Sequence, residues 1–167
     1  MGWEIERRFL VKVNALSWPS LTDGDHLRQG YLTHSKEPSV RVRLGEPGGP
    51  KLTSKRGAGV RRTEFECEIS TDVAKELMDA SGPRTIEKVR WSLGPWTLDR
   101  FLGSLEGLSI LEIELTSEEE TLPTFPPGIT VIHEITDDKR MSNGYLASLH
   151  QAAQKKIVLA AYSGGLE

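Results

Sequence analysis

Glu4-Ile5-Glu6-Arg7-Arg8-Phe9-Leu10-Val11 is the stretch on which the fold turns. Charged and apolar residues alternate at its start with the two-residue period of an extended chain, so Glu4, Glu6 and Arg8 share one face. The device recurs. Arg41-Val42-Arg43, Glu64-Phe65-Glu66, Lys88-Val89-Arg90 and Glu112-Ile113-Glu114 each set two like charges around an apolar residue. Alternation predicts strands over 5–11, 27–33, 39–44, 51–55, 62–69, 86–93, 96–101 and 108–115. Eight extended segments in one domain suggest a sandwich or a barrel.

Helices are fewer. Thr71 can cap a helix over 72–80 with Val73, Leu77 and Met78 as its apolar stripe. Ser117-Glu118-Glu119-Glu120 reads as a capping-box helix start. A longer amphipathic helix is predicted over 143–160, with Leu146, Leu149, Ala153, Ile157 and Ala160 on one face. All three are expected to pack against the sheet.

A single like-charged pair on a strand is ordinary in a sheet with one face in water. Five strands of them are not, because like charges side by side repel and solvated sheets usually interleave signs. Closing the sheet with its charged face inward gives a lumen lined by both signs and an apolar outer face for the helices. The expected class is α+β, an eight-stranded antiparallel β-barrel with helices packed on the outside. Such a lumen is costly unless a ligand neutralises it. Carboxylates without His or Cys suit a hard divalent cation, Mg²⁺ or Mn²⁺. Clustered Arg and Lys suit phosphate oxygens. Together they fit a polyphosphate.

Composition excludes several alternatives. One chain of 167 residues is the size of one domain, taken as 1–167. With 21 Lys and Arg against 24 Asp and Glu, the net charge of −3 argues against a nucleic-acid polymer as partner. No apolar run approaches the ~20 residues that span a bilayer. The only cysteine, Cys67, excludes a disulfide framework and suits a reducing cytoplasm. There is no GxxxxGK[ST], GxGxxG or HExxH motif, and His26, His34, His133 and His150 lack ligand spacing.

Glu4 to Val11 also resembles the first strand of the triphosphate tunnel metalloenzymes, the CYTH superfamily, whose hallmark is ExExK. The likeness continues in order through Gln29-Gly30-Tyr31-Leu32, Arg41-Val42-Arg43, Leu52-Thr53-Ser54-Lys55, Glu64-Phe65-Glu66, Lys88-Val89-Arg90, Leu98-Asp99-Arg100-Phe101, Glu112-Ile113-Glu114 and Glu134-Ile135-Thr136 to Arg140 and Asn143. It is most similar to the small bacterial inorganic tripolyphosphatases. The resemblance implies an eight-stranded tunnel that hydrolyses a small-molecule triphosphate with Mg²⁺ or Mn²⁺. Cyclisation of ATP, hydrolysis of thiamine triphosphate, or polyphosphate binding without turnover are its alternatives. It implies metal at Glu4, Glu6, Glu112 and Glu114, with Glu64, Glu66 and Asp99 supporting a second ion or its waters. Arg41, Arg43, Lys55, Lys88 and Arg90 would grip phosphate, in a monomer or homodimer. Tyr31 would pair with the ExExK lysine in activating water, but Arg8 replaces that lysine and cannot release its proton. Arg8 is expected instead to hold phosphate or to favour a Tyr31 tyrosinate by charge.

Overall fold

The structure, a computed structural model, describes residues 2–14, 23–33, 38–46, 48–57 and 60–165; His34 lies outside them. Its strands are β1 (Gly2–Val13), β2 (Asp25–Tyr31), β3 (Ser39–Gly45), β4 (Lys51–Arg56), β5 (Arg61–Glu68), β6 (Thr85–Leu93), β7 (Trp96–Phe101), β8 (Ser109–Leu115) and β9 (Ile129–Glu134). The helices are α1 (Thr71–Ser81), α2 (Asn143–Ser148) and α3 (Gln151–Ser163). Neighbouring strands run in the order β5-β4-β3-β2-β6-β7-β8-β1-β9, and β5 pairs back onto β1. Eight antiparallel strands thus close into a barrel, as the alternation predicts, and β9 is an addition.

β1 is long because it serves three partners. One edge pairs with β8 from Ile5 to Leu10. The other pairs with β5 over Gly2 to Ile5, then with β9 over Phe9 to Val13, with a register shift between Leu10 and Val11. β9 was not among the predicted strands. It follows a proline-rich stretch, and its outer half is solvated, so its alternation is weak.

Three apolar clusters hold the barrel. Phe9, Val11, Val89, Trp91, Trp96, Leu98, Leu111, Ile113 and Leu115 form the outer faces of β1, β6, β7 and β8. The segment carrying Leu122, Phe125, Ile129 and Val131 covers them. Trp96 Nε1 donates to the Thr124 carbonyl at 3.1 Å, and the Phe125 ring lies 4.9 Å from that of Trp96. This segment begins where a capping box suggested a helix. No helix forms there, because Glu120 turns back to accept from Thr116 N and Oγ1 at 2.7 and 2.6 Å. Pro123, Pro126 and Pro127 then remove the donors a helix would need.

α1 packs outside β2 and β3, burying Ala74 and Met78 against Val42. Its cap is Ser70 rather than Thr71, accepting from Val73 N, so the buried stripe moves to Ala74, Met78 and Ser81 and leaves Val73 exposed. Gly30 lets the helix approach: a Cβ there would land on Ser81 Oγ and within 2.8 Å of Met78 Sδ. Gly30→Ala is expected to cost about 1–3 kcal/mol by overpacking, read as a lowered urea midpoint at unchanged slope.

The helix predicted over 143–160 is two helices. Leu149 and His150 are extended, and His150 caps α3 by accepting from Ala153 N. Histidine is not a favoured cap, so the break leaves little trace in sequence. The two extended residues rotate the second helix, which buries Gln154, Val158 and Ala161 instead of Ala153, Ile157 and Ala160. α2 and α3 lie across one end of the barrel, on Leu10, Tyr31, Ile86, Phe101 and Ile110. These residues belong to the same strand faces as the charged pairs. The charged part of the lumen therefore stops at this end against a buried apolar floor.

Candidate active site

Strand parity brings most of the predicted residues together. Glu4, Glu6 and Arg8 on β1 face inward with Gln29 and Tyr31 on β2, Arg41 and Arg43 on β3, and Thr53 and Lys55 on β4. Glu64 and Glu66 on β5, Lys88 and Arg90 on β6, Asp99 on β7, and Glu112 and Glu114 on β8 complete the ring.

Most of these charges neutralise one another. Lys55 Nζ bridges Glu4 and Glu64 at 2.7 and 2.6 Å. Glu6 accepts from Arg62 Nη1 at 2.8 Å. Arg8, almost wholly buried, donates from Nε to Glu112 at 2.9 Å and from Nη2 to the Met141 carbonyl at 3.1 Å. Asp99 is fully buried, and its two oxygens take Lys88 and both forks of Arg90. Glu66 accepts from Lys51 and Thr53 at 2.6 and 3.1 Å. Arg62, Lys51 and Thr53 were not singled out from sequence. Each sits an even number of residues from a predicted lumen charge, which is the signal that finds them.

Arg41 and Arg43 are different. Among the described residues neither makes an ion pair of this kind, and the Nε of each is buried with no hydrogen-bond partner. Burial, with Arg41 and Arg90 close by, lowers the Arg43 pKa even though Glu66 opposes the shift. Each guanidinium thus keeps one buried donor unmatched in the lumen.

The carboxylates divide sharply in acidity. Burial would raise Glu112, but Arg8, Lys88 and Arg90 outweigh it and hold it far below the usual carboxylate range. Burial pushes Glu4 up to about 7 despite Lys55, with Glu6 adding to the rise. Burial likewise brings Lys88 down to about 8 although Asp99 lies beside it. For Glu4 the folded value lies above the ordinary one, so its contribution to stability is complete at acid pH and lost as pH rises through about 7. For Glu112 the sign reverses: the contribution is present above the ordinary carboxylate range and is lost as pH falls below it. The unliganded barrel is expected to melt highest at about pH 5–6 and lower at about pH 7.5, which calorimetry across that range checks.

Tyr31 departs from expectation. Burial raises its phenol above the ordinary 10.0, outweighing Arg41, Lys55 and Arg8. Its foremost cationic partner is Arg41, by charge and hydrogen bond, rather than Arg8. Arg8 is occupied by Glu112 and the Met141 carbonyl, and burial disfavours the tyrosinate that an Arg8 neighbour was expected to favour.

The donor set fits a hard divalent cation in its chemistry. Glu4 and Glu6 lie on β1, Glu112 and Glu114 on β8, and Glu6 stands directly opposite Glu114 across the ladder. Glu114 is the most exposed of these acids. Among the described residues, no three His, Cys, Asp or Glu side chains form a ready-made metal cage. Glu4, Glu6 and Glu112 are turned onto Lys and Arg instead.

A closed antiparallel barrel carrying rows of both charges, with two guanidinium Nε donors unmatched, defines a charged tunnel with donors open to an anion. No family model matches the sequence. The inorganic triphosphatase of Acetivibrio thermocellus is 36% identical over 151 residues, covering 87% of this chain and 94% of that protein. That of Nitrosomonas europaea is 36% identical over 155 residues, covering 86% and 96%. The crystal structure of an inorganic triphosphatase matches with a TM-score of 0.58 at 32% identity, over 90% of this chain and 97% of that one. This chain belongs to the inorganic triphosphatase family. None of its described helices is long and apolar enough to cross a membrane.

Proposed function

We propose that this chain hydrolyses inorganic tripolyphosphate or a closely related triphosphate in the charged lumen, with Mg²⁺ or Mn²⁺ as cofactor. The observation that carries the reading is the pair Arg41 and Arg43, each with a buried Nε that has no hydrogen-bond partner, in a chain whose relatives are inorganic triphosphatases. Guanidinium forks bind phosphate oxygens bidentately. Lys55, Lys88 and Arg90 lie around them and join the grip as phosphate displaces their carboxylate partners. Asp99, ion-paired with Lys88 and Arg90, would hold these two cations in position. Glu4, Glu6, Glu112 and Glu114 would hold the cation. It would supply Lewis-acid polarisation of the phosphoryl oxygens and offset the charge of the substrate. Glu112 is the most firmly committed of these to its cationic neighbours, through Arg8 and Arg90.

The test is phosphate release from tripolyphosphate, ATP and thiamine triphosphate, with Mg²⁺, with Mn²⁺ and in chelator, each product identified. Release from tripolyphosphate that stops in chelator is expected; a cyclic nucleotide product or binding without release would replace the reading. Arg41→Ala is expected to raise KM about tenfold or more, one charge-assisted phosphate contact being worth about 1.5–3 kcal/mol. The empty variant should melt somewhat lower than wild type, because the buried Tyr31 hydroxyl loses Arg41 as its partner.

A further inference from the structure

Gln29 lies in the lumen on the same face of β2 as Tyr31 and is 1% exposed. Its neighbours across the ladders are Arg43 on β3 and Ile86 on β6. Its Oε1 is buried with no hydrogen-bond partner, as are the Nε atoms of Arg41 and Arg43. Tyr31 pairs in register with Arg41 just as Gln29 pairs with Arg43. The three orphaned atoms therefore form one patch on two adjacent strands, at the border between the charged lumen and its apolar floor.

A buried polar atom left without a partner costs about 1–3 kcal/mol, and native structures keep few of them. Packing gives no reason for an amide here, since Ile86 beside it is apolar and a leucine of similar size would fill the space. The patch reads as an incomplete hydrogen-bonding site that a ligand finishes. Its members differ in kind. The two guanidinium nitrogens are donors and call for phosphate oxygens. Gln29 Oε1 is an acceptor, which an ionised phosphate oxygen repels and an O–H group satisfies. Water is the O–H donor that phosphate hydrolysis requires.

We propose that Gln29 Oε1 accepts a hydrogen bond from the water that attacks the terminal phosphorus of a triphosphate held by Arg41 and Arg43, and so orients that water. The inference rests on triphosphate hydrolysis in this barrel. In the step, the water oxygen bonds to the terminal phosphorus while the bridging P–O bond breaks. The bridging electron pair leaves on the diphosphate oxygen. Of the two water protons, one stays on the orthophosphate formed and the other passes to solvent. Gln29 takes a hydrogen bond and never a proton, so it directs the attack without setting a pH dependence.

The experiment compares wild type, Gln29→Leu and Gln29→Glu on tripolyphosphate, with kcat and KM resolved and melting temperatures measured without substrate. Gln29→Leu is expected to lose about 10²-fold in kcat, the scale of a misplaced reactant, with KM within about threefold. Its empty form should melt at or above wild type, because an orphaned acceptor is gone. Gln29→Glu keeps an acceptor oxygen. It should hold kcat within about tenfold of wild type while KM rises, since a new anion stands beside Arg43. Unchanged kcat in Gln29→Leu, a rise in KM alone, a leucine variant that fails to fold, or equal kcat losses in both variants would each overturn the proposal. A wild-type chain that releases no phosphate removes the functional reading, and this inference with it. Full release by wild type and by Gln29→Leu removes the inference alone.

Discussion

Asp99→Ala is expected to cost about 3–5 kcal/mol of folding stability, the usual penalty for taking one partner out of a buried ion pair. Asp99 and Lys88 are both fully buried, and Asp99 also takes the two forks of Arg90 at 2.7 Å each. Without the carboxylate, Lys88 is left charged, buried and beside Arg90, or must give up its proton. Burial already draws its pKa down to about 8 with Asp99 in place, so loss of the acid pushes it further down. Arg90 cannot respond in that way and, of its ion pairs among the described residues, keeps the 3.4 Å contact with Glu112. The measurement is chemical denaturation of wild type and variant at neutral pH. Removing both charges, as in Lys88→Met with Asp99→Leu, should recover part of the loss, since an apolar pair of similar volume often replaces a buried ion pair at little cost. Tripolyphosphate should also raise the melting temperature of Asp99→Ala more than that of wild type, because it brings the missing negative charge. A loss below about 1 kcal/mol would mean that lumen water solvates Lys88 and Arg90 as well as Asp99 does.

The same charges explain how far the sequence could be read. Barrel closure was legible because a two-residue period assigns each side chain to a face, and the inward set kept its parity through eight strands. Pairing within the lumen was not. Parity says that Glu4, Lys55 and Glu64 face inward; it does not say that Lys55 reaches two carboxylates at once, which depends on stagger between β1, β4 and β5. Arg8 shows the same limit. From sequence its partner was expected to be Tyr31, whereas Glu112 lies directly opposite it in the β1–β8 register and takes the guanidinium. The helices failed at their ends, where a single residue decides. Ser70 in place of Thr71 shifts the buried stripe of α1, and two extended residues at Leu149 and His150 turn one predicted helix into two. The capping box at Ser117 gave the opposite error, a local signal overruled by prolines and by Trp96, which needs the segment extended across its ring.

Glu4→Gln is expected to lower turnover about 10³-fold, and the pH profile of the wild type is expected to show why. Loss of a charged ligand withdraws several kcal/mol of Lewis-acid assistance, at 1.36 kcal/mol per tenfold in rate. In the empty lumen Glu4 ionises at about 7, well above an ordinary carboxylate, because burial and Glu6 disfavour its charge. A protonated carboxyl is a poor ligand, so kcat/KM, which reports the free enzyme, should rise with pH through about 7. Lys88 loses its proton at about 8, and a neutral amine grips phosphate less well, so the same ratio should fall again beyond that point. The two values give a narrow bell between them. Tyr31 does not enter it, since burial holds the phenol above 10.0, outside this range. Tyr31→Phe should therefore leave both limbs where they are and act through its partner Arg41, raising KM. Arg8→Lys should also leave them, because Glu112 and the Met141 carbonyl would hold the shorter cation away from Tyr31. Profiles of wild type, Tyr31→Phe and Arg8→Lys under one metal condition decide the matter. An ascending limb that moves or disappears in Tyr31→Phe would make the phenol the ionising group and return water activation to it. A limb that stays, with kcat preserved, assigns the ionisation to Glu4 and leaves Tyr31 the task of holding a guanidinium in place.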